Sequence, residues 1–174
     1  SENYSKNINW KSHSDTETLI KCISYMGLDK TLEMVDGMFA FALYDYKNNT
    51  LSLVRDRFGQ KPLYYGWINN NFIFASELKA LKEFPGFDNG INLDSLSLYF
   101  KFMYVPSPYT IYKKIYKLRP GHLITLSLNK NYNFVENTKY YISKNFSYRS
   151  WWTLENQIKN SRYKNIKNNI DSFC

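Results

Sequence analysis

Residues 37–66, GMFAFALYDYKNNTLSLVRDRFGQKPLYYG, decide the fold. Met38 through Tyr44 are apolar without alternation, the pattern of a strand covered on both faces. Lys47, Asn48, Asn49 and Thr50 supply a polar turn, because asparagine tolerates left-handed backbone. Leu51, Leu53 and Val54 carry a second strand that runs into Arg55-Asp56-Arg57. Two hairpin-linked strands covered on both sides predict a layered domain rather than a half-exposed sheet.

Downstream, Tyr64–Ile68 and Phe72–Ala75 predict a second hairpin through Asn69-Asn70-Asn71. Glu77–Phe84 reads as a short helix with Leu78 and Leu81 inward, stopped by Pro85-Gly86. Asp94 caps or begins a helix in which Leu96, Leu98, Phe100 and Phe102 supply apolar bulk, and Pro106 and Pro108 open a loop. Leu118-Arg119-Pro120-Gly121-His122 is a turn before a strand over 123–128. A further extended piece is expected near Tyr132–Tyr141. Trp151-Trp152-Thr153-Leu154 reads as an isolated apolar cluster, and 155–171 as a polar helix. Upstream, Leu19, Ile20, Ile23 and Met26 recur at helical spacing. Ser14 and Glu17 form a capping-box pattern and Gly27 a stop. Leu28–Val35 predicts a second short helix. Strands in the middle with helices on either side point to α+β, stacked sheets with outer helices.

Composition narrows the function classes. The 174 residues carry 44% hydrophobic and 18% aromatic side chains, which excludes a wholly disordered chain. No apolar run approaches the ~20 residues of a membrane helix, and a cytoplasmic, reducing setting is expected. Cys22 and Cys174 make neither a disulfide framework nor a metal-ligand spacing. The net charge is +8. Residues 139–174 hold 7 Lys/Arg against 2 Asp/Glu, so the excess lies mainly in the tail. A solvated basic linker explains it better than a nucleic-acid surface.

Candidate site residues are few. Asp15 falls in the first turn of the first helix, where the macrodipole favours a carboxylate. It could face a substrate ammonium or be an ordinary acidic residue at a helix start. Arg55, Asp56 and Arg57, with Gly59, Lys61 and Pro62, could build an anion site or a structural network, and the structural reading leads. Glu77, after Ser76, reads as a helix-start acid. His13 and His122 are too far apart to suggest a metal or a triad. Cys22 reads as a buried core thiol, Cys174 as inert. Ser1 leads no apolar strand, which argues against an N-terminal nucleophile.

Several of these motifs, in order, resemble the class II glutamine amidotransferase domain, and more narrowly its version in glutamine-hydrolysing asparagine synthetases. They are Ser14-Asp15-Thr16-Glu17, Gly37–Ala42, Arg55–Tyr65 and Ala75–Leu81. Pro106–Tyr112, Lys117–His122 and Trp151–Leu154 fit the same subfamily. The resemblance is close over about residues 12–126. It implies an N-terminal-nucleophile hydrolase fold, a four-layer αββα sandwich. In that family an N-terminal Cys attacks the glutamine side-chain amide with its own α-amine as base, and an Asn-Gly segment supplies the oxyanion site. Ammonia then reaches a synthetase domain, where ATP and aspartate form a β-aspartyl adenylate. Asp15 occupies the position that binds the glutamine α-ammonium, so the functional reading of Asp15 now leads.

The Cys start, the oxyanion segment and the glutamine-carboxylate loop would precede Ser1, and the pyrophosphate loop that binds ATP with Mg2+ would follow Cys174. The chain is therefore expected to be an internal piece: residues 1–126 a partial amidotransferase domain, and 127–174 a basic linker toward a synthetase domain. No catalytic residue is expected within it, and alone it is expected to hydrolyse no glutamine. L-glutamine, L-aspartate and ATP are the partners implied for the intact enzyme, with room for a homodimer. Rival readings are an amidotransferase for another acid, such as one in polysaccharide assembly, a catalytically dead amidotransferase-like subunit, and a basic nucleic-acid module. Glucosamine-forming and phosphoribosylamine-forming amidotransferases share the Asp15 motif less specifically.

Overall fold

A computed structural model describes residues 10–129, 146–159 and 161. The described chain divides into two compact units, one ending at Gly37 and the other beginning at Met38.

The first unit is a pair of helices, α1 (Asp15–Met26) and α2 (Leu28–Met34). Gly27 separates them with φ +86°, a conformation that glycine adopts without a steric penalty. Its N–H donates to Ile23 O, closing α1, and its carbonyl accepts from Thr31 N and Oγ1, opening α2. Leu32 and Thr31 are buried, whereas α1 has no fully buried residue and Ile20 is exposed.

The second unit holds two antiparallel sheets. Sheet A runs in the order β1 (Ala40–Asp45), β2 (Thr50–Arg55), β6 (His122–Ser127), β7 (Phe146–Ser150). Sheet B runs in the order β4 (Asn71–Ala75), β3 (Tyr64–Ile68), β5 (Ile115–Lys117). Both predicted hairpins form. Asn49 (φ +49°) turns the first, and Asn69 and Asn70 (φ +47° and +63°) turn the second. Between the sheets, Leu53, Ile124, Leu126 and Phe146 meet Leu63, Tyr65, Trp67 and Leu118. The opposite face of sheet B carries Ile68, Ile73 and Ile115, covered by Leu81 and Leu78 of α3 (Leu78–Lys82) and by Phe84, Phe87 and Tyr112. The order of layers is therefore sheet, sheet, helix. Longer than α3 is α4 (Leu93–Phe102).

Five expectations are corrected. The strand buried on both faces is β2, not the one opening at Met38. β1 lies at the edge of sheet A, with Ala42 and Tyr44 exposed, while Ser52, Leu53, Val54 and Arg55 of β2 are all buried between β1 and β6. Asn92, not Asp94, caps α4: its Oδ1 accepts from Asp94 N and Ser95 N. Phe100 and Phe102 are exposed, and Ser95 is the buried residue of that helix, with Leu96 and Leu98 beside it half-buried. The thiol of Cys22 is half-buried rather than in the core. Trp151 is not isolated, since it stacks on Phe39 at 6.0 Å between ring centroids.

Two strands carried no sequence signal, β5 and β7. β7 pairs with β6 from Leu126↔Phe146 to His122↔Ser150, so sheet A draws on chain beyond residue 126. Residues 154–159 are helical, in the stretch read as a polar helix. The extended piece expected near Tyr132–Tyr141, Ser1 and Cys174 lie outside the described residues. No helix among the described residues is long and apolar enough to cross a membrane.

Candidate functional site

Asp15 is the first residue of α1, as the capping pattern predicts, and it is exposed. Its Oδ1 accepts from Thr16 N at 2.8 Å, and Ser14 Oγ accepts from the same N–H at 3.1 Å. The other carboxylate oxygen makes no hydrogen bond among the described residues. Glu17 does not reach back to Ser14 as a capping box would require. It accepts instead from Lys11 N (2.8 Å), Ser12 N (2.6 Å) and Ser12 Oγ (2.7 Å), and pairs with Lys21 Nζ at 2.6 Å. The Lys21 ammonium, with these N–H and O–H donors, holds the Glu17 carboxyl down at about 2. Lys21 Nζ also lies 4.6 Å from the Trp10 ring centroid. The segment entering α1 is thus fastened by Glu17, which leaves Asp15 to face outward at the positive end of the helix.

The Arg55–Lys61 loop belongs to the second unit and is occupied with itself. Arg55 is 6% exposed and spends its guanidinium on three carbonyls, those of Lys61 (Nε, 2.8 Å), Gly59 (Nη2, 2.6 Å) and Leu118 (Nη1). Burial pulls Arg55 below its ordinary pKa, offset in part by the neighbouring Asp56. Asp56, 1% exposed, accepts from three backbone amides: Phe58 N and Gln60 N on Oδ1 (3.1 and 2.9 Å) and Lys61 N on Oδ2 (2.9 Å). Its carbonyl accepts from Gly59 N and Gly121 N, and its own N–H donates to Phe39 O. Both charges are buried and turned onto backbone groups of the loop and its neighbours, so the structural reading of this loop holds.

Three further residues organise the loop. Gly121 O accepts from both Trp151 N and Trp152 N, at 2.9 and 3.1 Å. Trp151 Nε1 donates to Arg55 O at 3.2 Å, and the Arg57 guanidinium carbon lies 5.7 Å from the Trp151 ring centroid. Trp152 meets Phe58 edge-on at 5.2 Å. Gly121 has φ +64°, and a Cβ there would overlap the carbonyl of Trp152. The tryptophan pair therefore closes over the loop through backbone and ring together. The only sequence signal for this was the presence of Pro120-Gly121-His122 and Trp151-Trp152 as separate motifs.

The remaining candidates are structural or peripheral. Glu77 stands at the N-cap of α3 without a capping hydrogen bond and pairs with Lys79 at 2.7 Å. His122 is half-buried; its Nδ1 donates to Pro120 O at 2.7 Å, and its ring faces Tyr148 at 5.3 Å. Burial lowers its pKa. Lys117 Nζ rests 5.6 Å from the Tyr64 ring centroid, its pKa lowered by burial and by Arg55. A cleft of about 130 Å³ opens beside Trp67, Phe87, Asp88, Lys113 and Lys114. None of the candidate site residues read from the sequence lines it.

Comparison with known proteins bears on this arrangement. The model of the glutamine amidotransferase domain family matches residues 1–141. The chain is 41% identical over 138 residues to a putative glutamine-hydrolysing asparagine synthetase 2 of Methanocaldococcus jannaschii, covering 78% of this chain and 26% of that protein. It is 33% identical over 141 residues to asparagine synthetase [glutamine-hydrolyzing] 1 of Bacillus subtilis, covering 81% of this chain and 21% of that protein. The chain thus spans about a quarter of the length of these curated relatives. Among solved structures, the glutamine phosphoribosylpyrophosphate amidotransferase of B. subtilis superposes with a TM-score of 0.53 at 15% identity, over 85% of this chain and 25% of that one. That likeness shows a shared α+β fold. With the family model matching four-fifths of its length, the chain belongs to the glutamine amidotransferase domain family.

Proposed function

We propose that this chain is the glutamine-handling portion of a glutamine-hydrolysing asparagine synthetase. In that enzyme glutamine amide hydrolysis supplies ammonia for ATP-dependent amidation of aspartate, giving asparagine, glutamate, AMP and diphosphate. The observation that carries the reading is the similarity to asparagine synthetases of two organisms over about four-fifths of the chain.

Within it, Asp15 binds the α-ammonium of L-glutamine. Its position at the start of α1 supports the role: the carboxylate is exposed and has an oxygen without a hydrogen-bond partner among the described residues. A fixed anion there selects a cation by charge and by place. The Arg55–Lys61 loop does no chemistry in this account. It locks the exit of β2 against β6 and so fixes the sheets.

None of the described residues is assigned as the nucleophile. ATP with Mg2+ and aspartate are assigned to the remaining length of the protein, whose chemistry is to activate the aspartate side-chain carboxylate. The test is product analysis on the full-length protein supplied with glutamine, aspartate and MgATP. Asparagine and AMP in equal amounts support the reading. Glutamate formed with no asparagine, and an amide found on another added acid, would overturn it in favour of a different acceptor.

A further inference from the structure

Ser12 carries two hydrogen bonds on one oxygen. Its hydroxyl donates to Glu17 Oε2 at 2.7 Å, and the same Oγ accepts from Ser14 N at 3.2 Å. Ser14 Oγ in turn accepts from Thr16 N at 3.1 Å, and that N–H is shared with Asp15 Oδ1 at 2.8 Å. An unbroken line of hydrogen bonds therefore runs from Glu17 through Ser12, Ser14 and Thr16 to the Asp15 carboxylate.

The far end of this line is fixed. Glu17 is held by Lys21 Nζ at 2.6 Å and by the N–H groups of Lys11 and Ser12. Its side chain is 16% exposed, whereas Ser12, Ser14, Asp15 and Thr16 are all exposed. Water competes for each bond of an exposed line, so the carboxylate at its end keeps one orientation only if the line is tied down. Glu17 is the tie, and Ser12 Oγ connects it to Ser14. A serine hydroxyl suits this place, because one O–H donor and two lone pairs let it donate to the anion and accept from the amide together. A carboxylate that must meet an ammonium at a set place loses that contact when it rotates, with no change in the fold around it.

We propose that Ser12 is a positioning residue for glutamine: it passes the anchoring of Glu17 on to Asp15 and so sets that carboxylate for the α-ammonium. The role rests on Asp15 binding the ammonium, and the test separates the two. Asparagine formation by the full-length protein is measured with glutamine, and separately with ammonia, for Ser12→Ala, Ser12→Thr, Asp15→Asn and the double variant Ser12→Ala with Asp15→Asn. Ser12→Ala keeps the bond from Ser12 N to Glu17, so the segment stays fastened to α1. It should raise the glutamine KM about three- to tenfold, the worth of one hydrogen bond, with kcat unchanged. Ser12→Thr keeps the hydroxyl and should return the KM to near the wild-type value. On the Asp15→Asn background, Ser12→Ala should add no further increase, because its effect passes through that carboxylate. A KM raised by Asp15→Asn but unmoved by Ser12→Ala would overturn the role of Ser12 alone. A KM unmoved by Asp15→Asn would remove the ammonium contact, and the role of Ser12 with it. Equal losses with glutamine and ammonia, no rescue by threonine, or additive effects in the double variant would reduce Ser12 to a structural residue.

Discussion

Arg55 and Gly59 are fastened to each other from both sides of one turn. The Arg55 Nη2 donates to the Gly59 carbonyl at 2.6 Å, and the bare Cα of Gly59 faces the same guanidinium. A Cβ at Gly59 would stand 2.9 Å from Arg55 Cζ and 2.7 Å from Pro120 Cγ, on a backbone with φ +66°. Gly59→Ala therefore combines steric overlap with left-handed strain. We expect a loss of about 2–3 kcal/mol in urea denaturation. An unchanged midpoint would show that the loop relaxes freely.

Asp56 is the second pin of the loop. Asp56→Ala would leave three half-buried backbone amide bonds of the loop without their acceptor, and we expect about 2–4 kcal/mol of destabilisation. Asp56→Asn should rescue it incompletely. Its single carbonyl oxygen can serve Phe58 N and Gln60 N, but its NH₂ would then point at Lys61 N–H. Thermal denaturation of the two variants side by side checks the order.

The two hairpins were legible because asparagine-rich turns separate clear apolar runs. The layer order was legible only in part. The run from Met38 to Tyr44 is apolar enough to read as a central strand, yet β1 sits at the sheet edge and exposes Tyr44. β2 is the covered strand although its sequence ends in a charge, because Arg55 is solvated by carbonyls rather than by water. β5 is three residues long, within the run Tyr112-Lys113-Lys114-Ile115-Tyr116-Lys117, which has no clear alternation. β7 pairs with β6 across twenty or more residues of sequence, a separation at which periodicity carries no signal. Asp15 was placed correctly in the first turn of α1 by its capping pattern, but the role proposed for it came only from the family resemblance.

His122 links stability to pH. Its folded pKa lies below the ordinary 6.5, chiefly through burial, so the unfolded chain binds the proton more readily. Its contribution is therefore complete above pH 6.5 and declines as pH falls through the folded value. Denaturation midpoints should drop between pH 7.5 and 5, and His122→Gln should flatten that dependence. A variant with the same slope as the wild type would remove His122 from the account.

Glu17 acts in a lower window. Its carboxyl titrates at about 2 in the fold against 4.5 ordinarily, so the fastening of the segment before α1 is intact above pH 4.5. It is lost as pH falls from 4.5 through about 2. Glu17→Gln should abolish that local dependence at any pH, read as faster amide exchange at Lys11 and Ser12. Exchange at those two amides that does not respond to the substitution would contradict the hydrogen bonds.

The central claim is that Asp15 holds the glutamine ammonium, and one substitution isolates it. Asp15→Asn removes the charge while Oδ1 can still accept from Thr16 N, so α1 should stay capped. In the full-length protein, asparagine formation should be measured with glutamine and, separately, with free ammonia as nitrogen source. The account predicts that the glutamine KM rises by about a hundredfold, as loss of a desolvated charge pair would cause, while the ammonia-dependent rate is unchanged. Equal losses with both nitrogen sources, or an unaltered glutamine KM, would contradict it.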